Sequence, residues 1–145
     1  PESVTSQFMD LVQFGEPTRD WTGDLGGLFA ALLAPAGDLA GKTRPAGAAE
    51  PQDTQGLTGT YSSPYFGEMT IEETNGGLTA RLGPDGVTEI ELEPWDGDTY
   101  AYEPVSESAP YGSRASAAFD RTGSAVRVVL QSFNGSGLAT WTKSS

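Results

Sequence analysis

From Leu57 onward, apolar side chains recur at every second position in short runs, and turn residues close each run. Leu57, Gly59 and Tyr61 alternate, followed by Met69 and Ile71, by Leu78, Ala80 and Leu82, and by Ile90 and Leu92. Tyr100 and Tyr102 extend the pattern. After a longer loop come Ala117 with Phe119, then Val126, Val128 and Leu130, and last Leu138 near Trp141. A period of two puts alternate residues on one face, so these runs predict eight short strands, each with one face to bury.

The punctuation says how the strands connect. Thr74–Gly77 (TNGG) and Asn134–Gly137 (NGSG) carry the Asn-Gly pair of tight hairpins, because both residues tolerate positive φ. Gly83–Gly86 (GPDG) sets the φ of proline ahead of an Asp-Gly pair, and Asp120–Gly123 (DRTG) predicts a type I turn with a glycine exit. Successive strands are then antiparallel neighbours. Closing such a meander into an up-and-down barrel removes the exposed edges that invite aggregation; an open sheet covered by helices is the competitor. The expected fold class is mainly β: short α-helices over residues 1–35, a linker over 36–56, and an eight-stranded antiparallel barrel over 57–145.

The first third follows a helical period. Val4, Phe8, Leu11 and Val12 share one face of a helix that Ser3 can N-cap and Gly15 can end. A second stripe, Trp21, Leu25, Leu28, Phe29, Leu32 and Leu33, stops before Pro35, where helices usually end. Gly23, Gly26 and Gly27 each cost it about 1 kcal/mol relative to alanine, so it needs a packing surface, the barrel or another domain. Ala36–Gly56 (AGDLAGKTRPAGAAEPQDTQG) offers almost nothing to bury and favours extended backbone, as a linker does.

A chain of 145 residues, 37% hydrophobic, supports one modest core and not two large domains. With 8 Lys and Arg against 20 Asp and Glu, its net charge of −12 repels phosphate backbones and anionic membranes, so nucleic acid is not an expected partner. Cysteine is absent, which removes disulfides and thiolate nucleophiles. The longest apolar stretch, Leu28–Ala34, falls far short of the roughly 20 residues of a membrane helix, and no membrane span is expected. No initiator Met or signal-like region stands at Pro1, so the chain is expected to be a mature or excised piece of a larger parent.

Serine catalysis needs a base within reach, and the chain has no histidine and two lysines, Lys42 and Lys143, neither of them in a Ser-x-x-Lys. Gly-x-Ser-x-Gly is absent as well. Gly37–Thr43 (GDLAGKT) ends like a phosphate loop but has the wrong glycine spacing and a linker context. Zinc would find neither histidine nor cysteine.

Asp96 and Asp98, in Pro94–Tyr100 (PWDGDTY), are hard oxygen ligands suited to calcium, but a calcium loop supplies several more. The favoured reading is a hairpin turn with Gly97 left-handed, the aspartates bonded to nearby amides, and Trp95 and Tyr100 anchoring its two sides. Neither these aspartates nor Glu91 and Glu93, on an exposed alternating face, form the facing carboxylates of a sugar cleft. No catalytic residue, cofactor or resident metal is assigned. Tyr61, Tyr65, Phe66, Trp95, Tyr100, Tyr102 and Phe119 either fill a core or line a cavity for one small apolar ligand.

Four stretches also stand in a telling order: Leu57–Gly67 (LTGTYSSPYFG), Gly76–Pro84 (GGLTARLGP), Pro94–Tyr100 (PWDGDTY) and Ala117–Gly123 (AAFDRTG). In these blocks the chain resembles the lipocalin-like domain of uncharacterised function found C-terminal to serine hydrolases related to class C β-lactamases and DD-peptidases. Gly15–Trp21 (GEPTRDW) is similar to the segment leading from such hydrolases into the domain, whereas Trp141-Thr142-Lys143 stands where Phe-x-Arg is more usual. The resemblance implies a barrel appended to an enzyme whose Ser-x-x-Lys and Tyr-x-Asn lie upstream, so no catalytic residue carries over. It implies an accessory role towards the catalytic domain of the same polypeptide, in active-site access, stability or assembly. The implied parent is an exported bacterial protein, periplasmic, cell-surface or secreted. A lipocalin-like module for a small apolar or cell-wall-derived ligand is the alternative, with Tyr61, Tyr65, Trp95, Tyr100, Tyr102 and Phe119 as its lining.

Overall fold

The computed structural model describes residues 2–106, 109–123 and 125–144. The chain divides into two units, Pro1–Ala34 and Pro35–Ser145.

In the first unit, α1 spans Glu2–Phe14 and α2 spans Trp21–Leu32. Ser3 lies inside α1 and does not cap it; the helix ends where expected, with Gly15 at φ +79° donating its amide to the Leu11 carbonyl. The cap of α2 is Asp20, whose carboxylate accepts from the Gly23 amide at 2.9 Å and so offsets the glycine-rich start. Asp10 joins the helices: its Oδ2 accepts from the Thr18 amide (2.7 Å), the Thr18 hydroxyl (2.6 Å) and the Trp21 indole (2.7 Å). Phe8, Leu11, Val12, Leu28, Leu32 and Leu33 remain exposed, so the helices do not bury their apolar stripes on each other.

The second unit holds β1 (Gly59–Ser63), β2 (Gly67–Thr74), β3 (Gly77–Leu82), β4 (Thr88–Asp96), β5 (Thr99–Tyr102), β6 (Ala115–Thr122), β7 (Ala125–Leu130) and β8 (Thr140–Lys143). They pair in sequence order as a closed antiparallel barrel, which rules out the open sheet. β8 returns to β1 through Tyr61↔Lys143 and Ser62↔Thr142. Alternation decides what goes inside: Ile90 and Leu92 are buried while Glu89, Glu91 and Glu93 between them face outward and are exposed. Each aliphatic side chain so buried contributes about 1.5–3 kcal/mol relative to exposure.

Two turns differ from expectation. β6 continues through the DRTG stretch to Thr122, leaving Gly123, at φ +66°, as the one residue of that stretch outside the strand. NGSG is no tight hairpin either: residues 131–139 link β7 to β8 through a 3-10 segment, Gln131–Ser136. The length lets Phe133 pack edge-on to Trp141, 6.3 Å between centroids, while Asn134 Oδ1 accepts from the Ala139 amide. By contrast Asn75 (φ 51°) and Gly76 (φ 82°) make the expected tight β2–β3 turn.

The stretch expected to be a linker lies along the barrel wall as a strap. Ala36 donates to the Ser113 hydroxyl and accepts from the Arg114 amide, beside the start of β6. A Cβ on Gly37, at φ +103°, would fall 2.1 Å from the Arg114 carbonyl oxygen, so only glycine fits there. Asp38 accepts from the Ser116 amide and hydroxyl, Arg44 donates to the Trp95 carbonyl, and Ala49 exchanges hydrogen bonds with Asp96 and Gly97. Leu39 is buried against Trp95 and Ala101. Few apolar groups hold the strap; polar contacts to backbone hold most of it.

An up-and-down barrel alternates its connections between two ends. The β1–β2, β3–β4, β5–β6 and β7–β8 connections share one, here the loop end; the β2–β3, β4–β5 and β6–β7 turns share the other, the turn end. The strap runs from the first to the second. Leu57, in the 3-10 turn Gln55–Leu57, closes the turn end, and Phe66 stacks on Trp141 at the loop end, 5.2 Å between centroids.

Candidate functional site

Strand period brings Tyr61, Tyr100, Tyr102 and Phe119 into one interior cluster with Met69, Ile71, Leu78 and Trp141. Tyr100 and Tyr61 meet the Phe119 ring edge-on at 5.5 and 6.4 Å. The Tyr61 hydroxyl donates to the Leu57 carbonyl at 2.7 Å, and that of Tyr102 bonds the Ser132 hydroxyl at 2.7 Å. The Tyr100 hydroxyl and the Trp141 indole N–H are buried with no partner. Burial pushes the Tyr61 phenol up to about 12 and raises those of Tyr100 and Tyr102, so none serves as a base near neutral pH.

Two residues of the proposed lining sit elsewhere. Trp95 belongs to the outer-wall cluster with Leu39 and Ala101, under the Arg114 guanidinium at 5.0 Å. Tyr65 is 70% exposed, edge-on to Phe66 on the β1–β2 connection. Trp95 follows the outward parity of Glu89, Glu91 and Glu93 on β4, and a bulge between Pro94 and Asp96 shifts the β4–β5 register beside it. Conversely Phe133, beyond the sequence expectation, joins Phe66 and Trp141 at the loop end; its only signal is an aromatic flanking an Asn-Gly turn.

Of the carboxylates singled out in the sequence, Asp96, Asp98 and Glu93 are engaged by protein donors. Asp96 accepts from the Ala49 amide at 2.8 Å, and Asp98 is held by Arg121. Glu93 pairs with Arg114 and Glu89 with Arg81 at 3.4 Å along the outer face of β4. Among the described residues no three His, Cys, Asp or Glu side chains are placed to hold a metal ion.

At the loop end a groove of about 760 Å³ opens between the start of the strap and the β5–β6 and β7–β8 connections. Ala36, Pro104, Val105, Pro110 and Phe133 give it apolar walls. Of its polar side chains, Asp38, Ser113, Ser132 and Asn134 already bond within the barrel unit. The arrangement can pack against something apolar, and among the described residues that line it none is a nucleophile with a base beside it.

The sequence model of a family described as a domain of unknown function, DUF3471, matches residues 43–141, from within the strap to Trp141. Among solved structures the chain is similar to the C-terminal domain of the penicillin-binding protein Rv0907, at 30% identity and a TM-score of 0.60, covering 71% of this chain and 96% of that one. No curated protein matches it.

Proposed function

Since the chain belongs to the DUF3471 family of domains, we propose that it is a non-catalytic accessory C-terminal domain of a serine hydrolase related to penicillin-binding proteins and β-lactamases. The likeness to the C-terminal domain of a penicillin-binding protein carries the reading. The chemistry agrees with it: the chain has no histidine or cysteine, its buried phenols are neutral, and its turn aspartates are tied to protein donors. On this reading the domain alters the parent's active-site access, stability or assembly in the bacterial cell envelope. The exposed apolar stripes of α1 and α2 supply surface for that association. An interior cluster of rings and aliphatic side chains packed on one another counts against a small apolar ligand inside the barrel.

The test compares the full-length polypeptide with one lacking this domain, in acylation rate, thermal midpoint and assembly state. At least one of the three changes if the reading holds. Three unchanged values would sink it.

A further inference from the structure

Among the described residues, the large exposed hydrophobic side chains of the barrel unit are Tyr65, Val87, Val105, Tyr111 and Leu138. Each falls on a connection at the loop end: Tyr65 on β1–β2, Val87 on β3–β4, Val105 and Tyr111 on β5–β6, Leu138 on β7–β8. Scattered surface hydrophobics need no explanation, but these are segregated. The turn end is built from Asn75, Gly76, Gly97, Asp98 and Gly123, with Arg121 tying Asp98 to the strap. An apolar rim therefore surrounds one mouth of the barrel, next to the groove walled by Ala36, Pro104, Pro110 and Phe133.

A second observation bears on what could cover it. The polypeptide enters the barrel unit at this same mouth, where Ala36 is pinned to Ser113 and Arg114. A domain ahead of residue 1 is thus joined, through residues 1–34, to this end of the barrel and not to the other, which raises its effective concentration there. Because Asp38, Ser113, Ser132 and Asn134 in the groove already bond internally, the rim suits a partner offering apolar side chains more than one offering hydrogen bonds. Tyr111, fully exposed and rigid beyond two torsions, has the character of an interface anchor.

We infer that the loop end is the docking face for the catalytic domain of the same polypeptide. This rests on the accessory-domain reading and adds which face makes the contact. The turn end, by this inference, points away from the enzyme.

Amide exchange in the full-length polypeptide, compared with the 145-residue chain, tests it. Residues 83–87, 109–113 and 131–138 should slow by about tenfold or more, while 75–76 and 97–98 stay unchanged, because docking lowers only the open fraction of what it covers. Tyr111 and Val87 are 101% and 77% exposed, so Y111D and V87D leave the barrel folded and should abolish the slowing; N75D at the turn end should not. Slowing confined to another face overturns this inference and leaves the accessory reading standing. Slowing in the 145-residue chain alone that rises with its concentration overturns it in favour of a second copy. A parent without an upstream hydrolase overturns both.

Discussion

Arg121 grips Asp98 through both carboxylate oxygens, Nε donating to Oδ2 at 2.8 Å and Nη2 to Oδ1 at 3.1 Å. The same guanidinium reaches the Asp53 carboxylate at 3.2 Å and its carbonyl at 2.8 Å. One side chain of β6 therefore fastens the β4–β5 turn and the strap to the barrel. Asp98 is held by arginine, and Asp96-Gly97-Asp98, read in the sequence as a hairpin turn, is that turn and also a clasp on the strap.

Replacing Arg121 with alanine should lower unfolding stability by about 1–2 kcal/mol, the lower range for charge-assisted bonds because the pair is partly exposed. Arg121→Lys should recover little, since an ammonium cannot span the fork. Urea unfolding reads both. The thermal midpoint of the unaltered chain should be the same in chelator and in millimolar calcium; a rise with calcium would return the aspartates to metal binding.

Gly97 sits at φ +56° with open space around its Cα, so any cost of substitution is conformational. Gly97→Val should destabilise by about 1–2 kcal/mol, whereas Gly97→Asn, which tolerates the left-handed region, should recover most of it. Equal midpoints for both variants in urea would remove the turn argument.

Asp10 gives the helical unit an acid limit. The Thr18 hydroxyl, the Trp21 indole and the Thr18 amide hold its carboxyl below the ordinary value of 3.8. A depressed folded-state pKa gives stability that is complete above 3.8 and lost as pH falls through the lower value. The Trp21 indole proton, followed by NMR, should shift in that acid range while the barrel's resonances stay put. Asp10→Asn should weaken the helix pair at neutral pH and erase the acid transition.

How much of this was legible in the sequence varies with what each residue answers to. Ile90 and Leu92 against Glu89 and Glu91 were legible because a barrel wall imposes the alternation directly. The same alternation puts Trp95 on the outer face, but its burial there was not legible, because it depends on Leu39 of a stretch whose composition signals a linker. The strap escaped for a related reason: Asp38, Asp53 and Asp96 hold it by accepting from amides or arginine, and the composition that signals a linker also supplies such acceptors. At Asn134-Gly135 local turn preference lost to the burial of Phe133 against Trp141. The interior rings were found by period, but whether they line a space or fill it depends on contacts such as Tyr100 on Phe119.

The interior phenols make the last prediction, since two neighbours on β5 differ in one respect. The Tyr102 hydroxyl bonds the Ser132 hydroxyl and accepts from the Ser132 amide, whereas the Tyr100 hydroxyl is buried with no partner. Removing a satisfied hydroxyl loses about 1 kcal/mol, while removing an orphaned one relieves a desolvation cost of about 1–3 kcal/mol. Tyr102→Phe should therefore destabilise the barrel, and Tyr100→Phe should leave it unchanged or more stable. Both tyrosines and Tyr61 have raised phenol pKa values, so the barrel's stability should be full below pH 10 and fall as pH rises towards about 12, where Tyr61 ionises in the folded state. Thermal melts of the two variants and the unaltered chain across that alkaline range decide it. A Tyr100→Phe variant that melts below Tyr102→Phe would mean that the Tyr100 hydroxyl is satisfied by a group bound inside the barrel, and would reopen the interior as a ligand site.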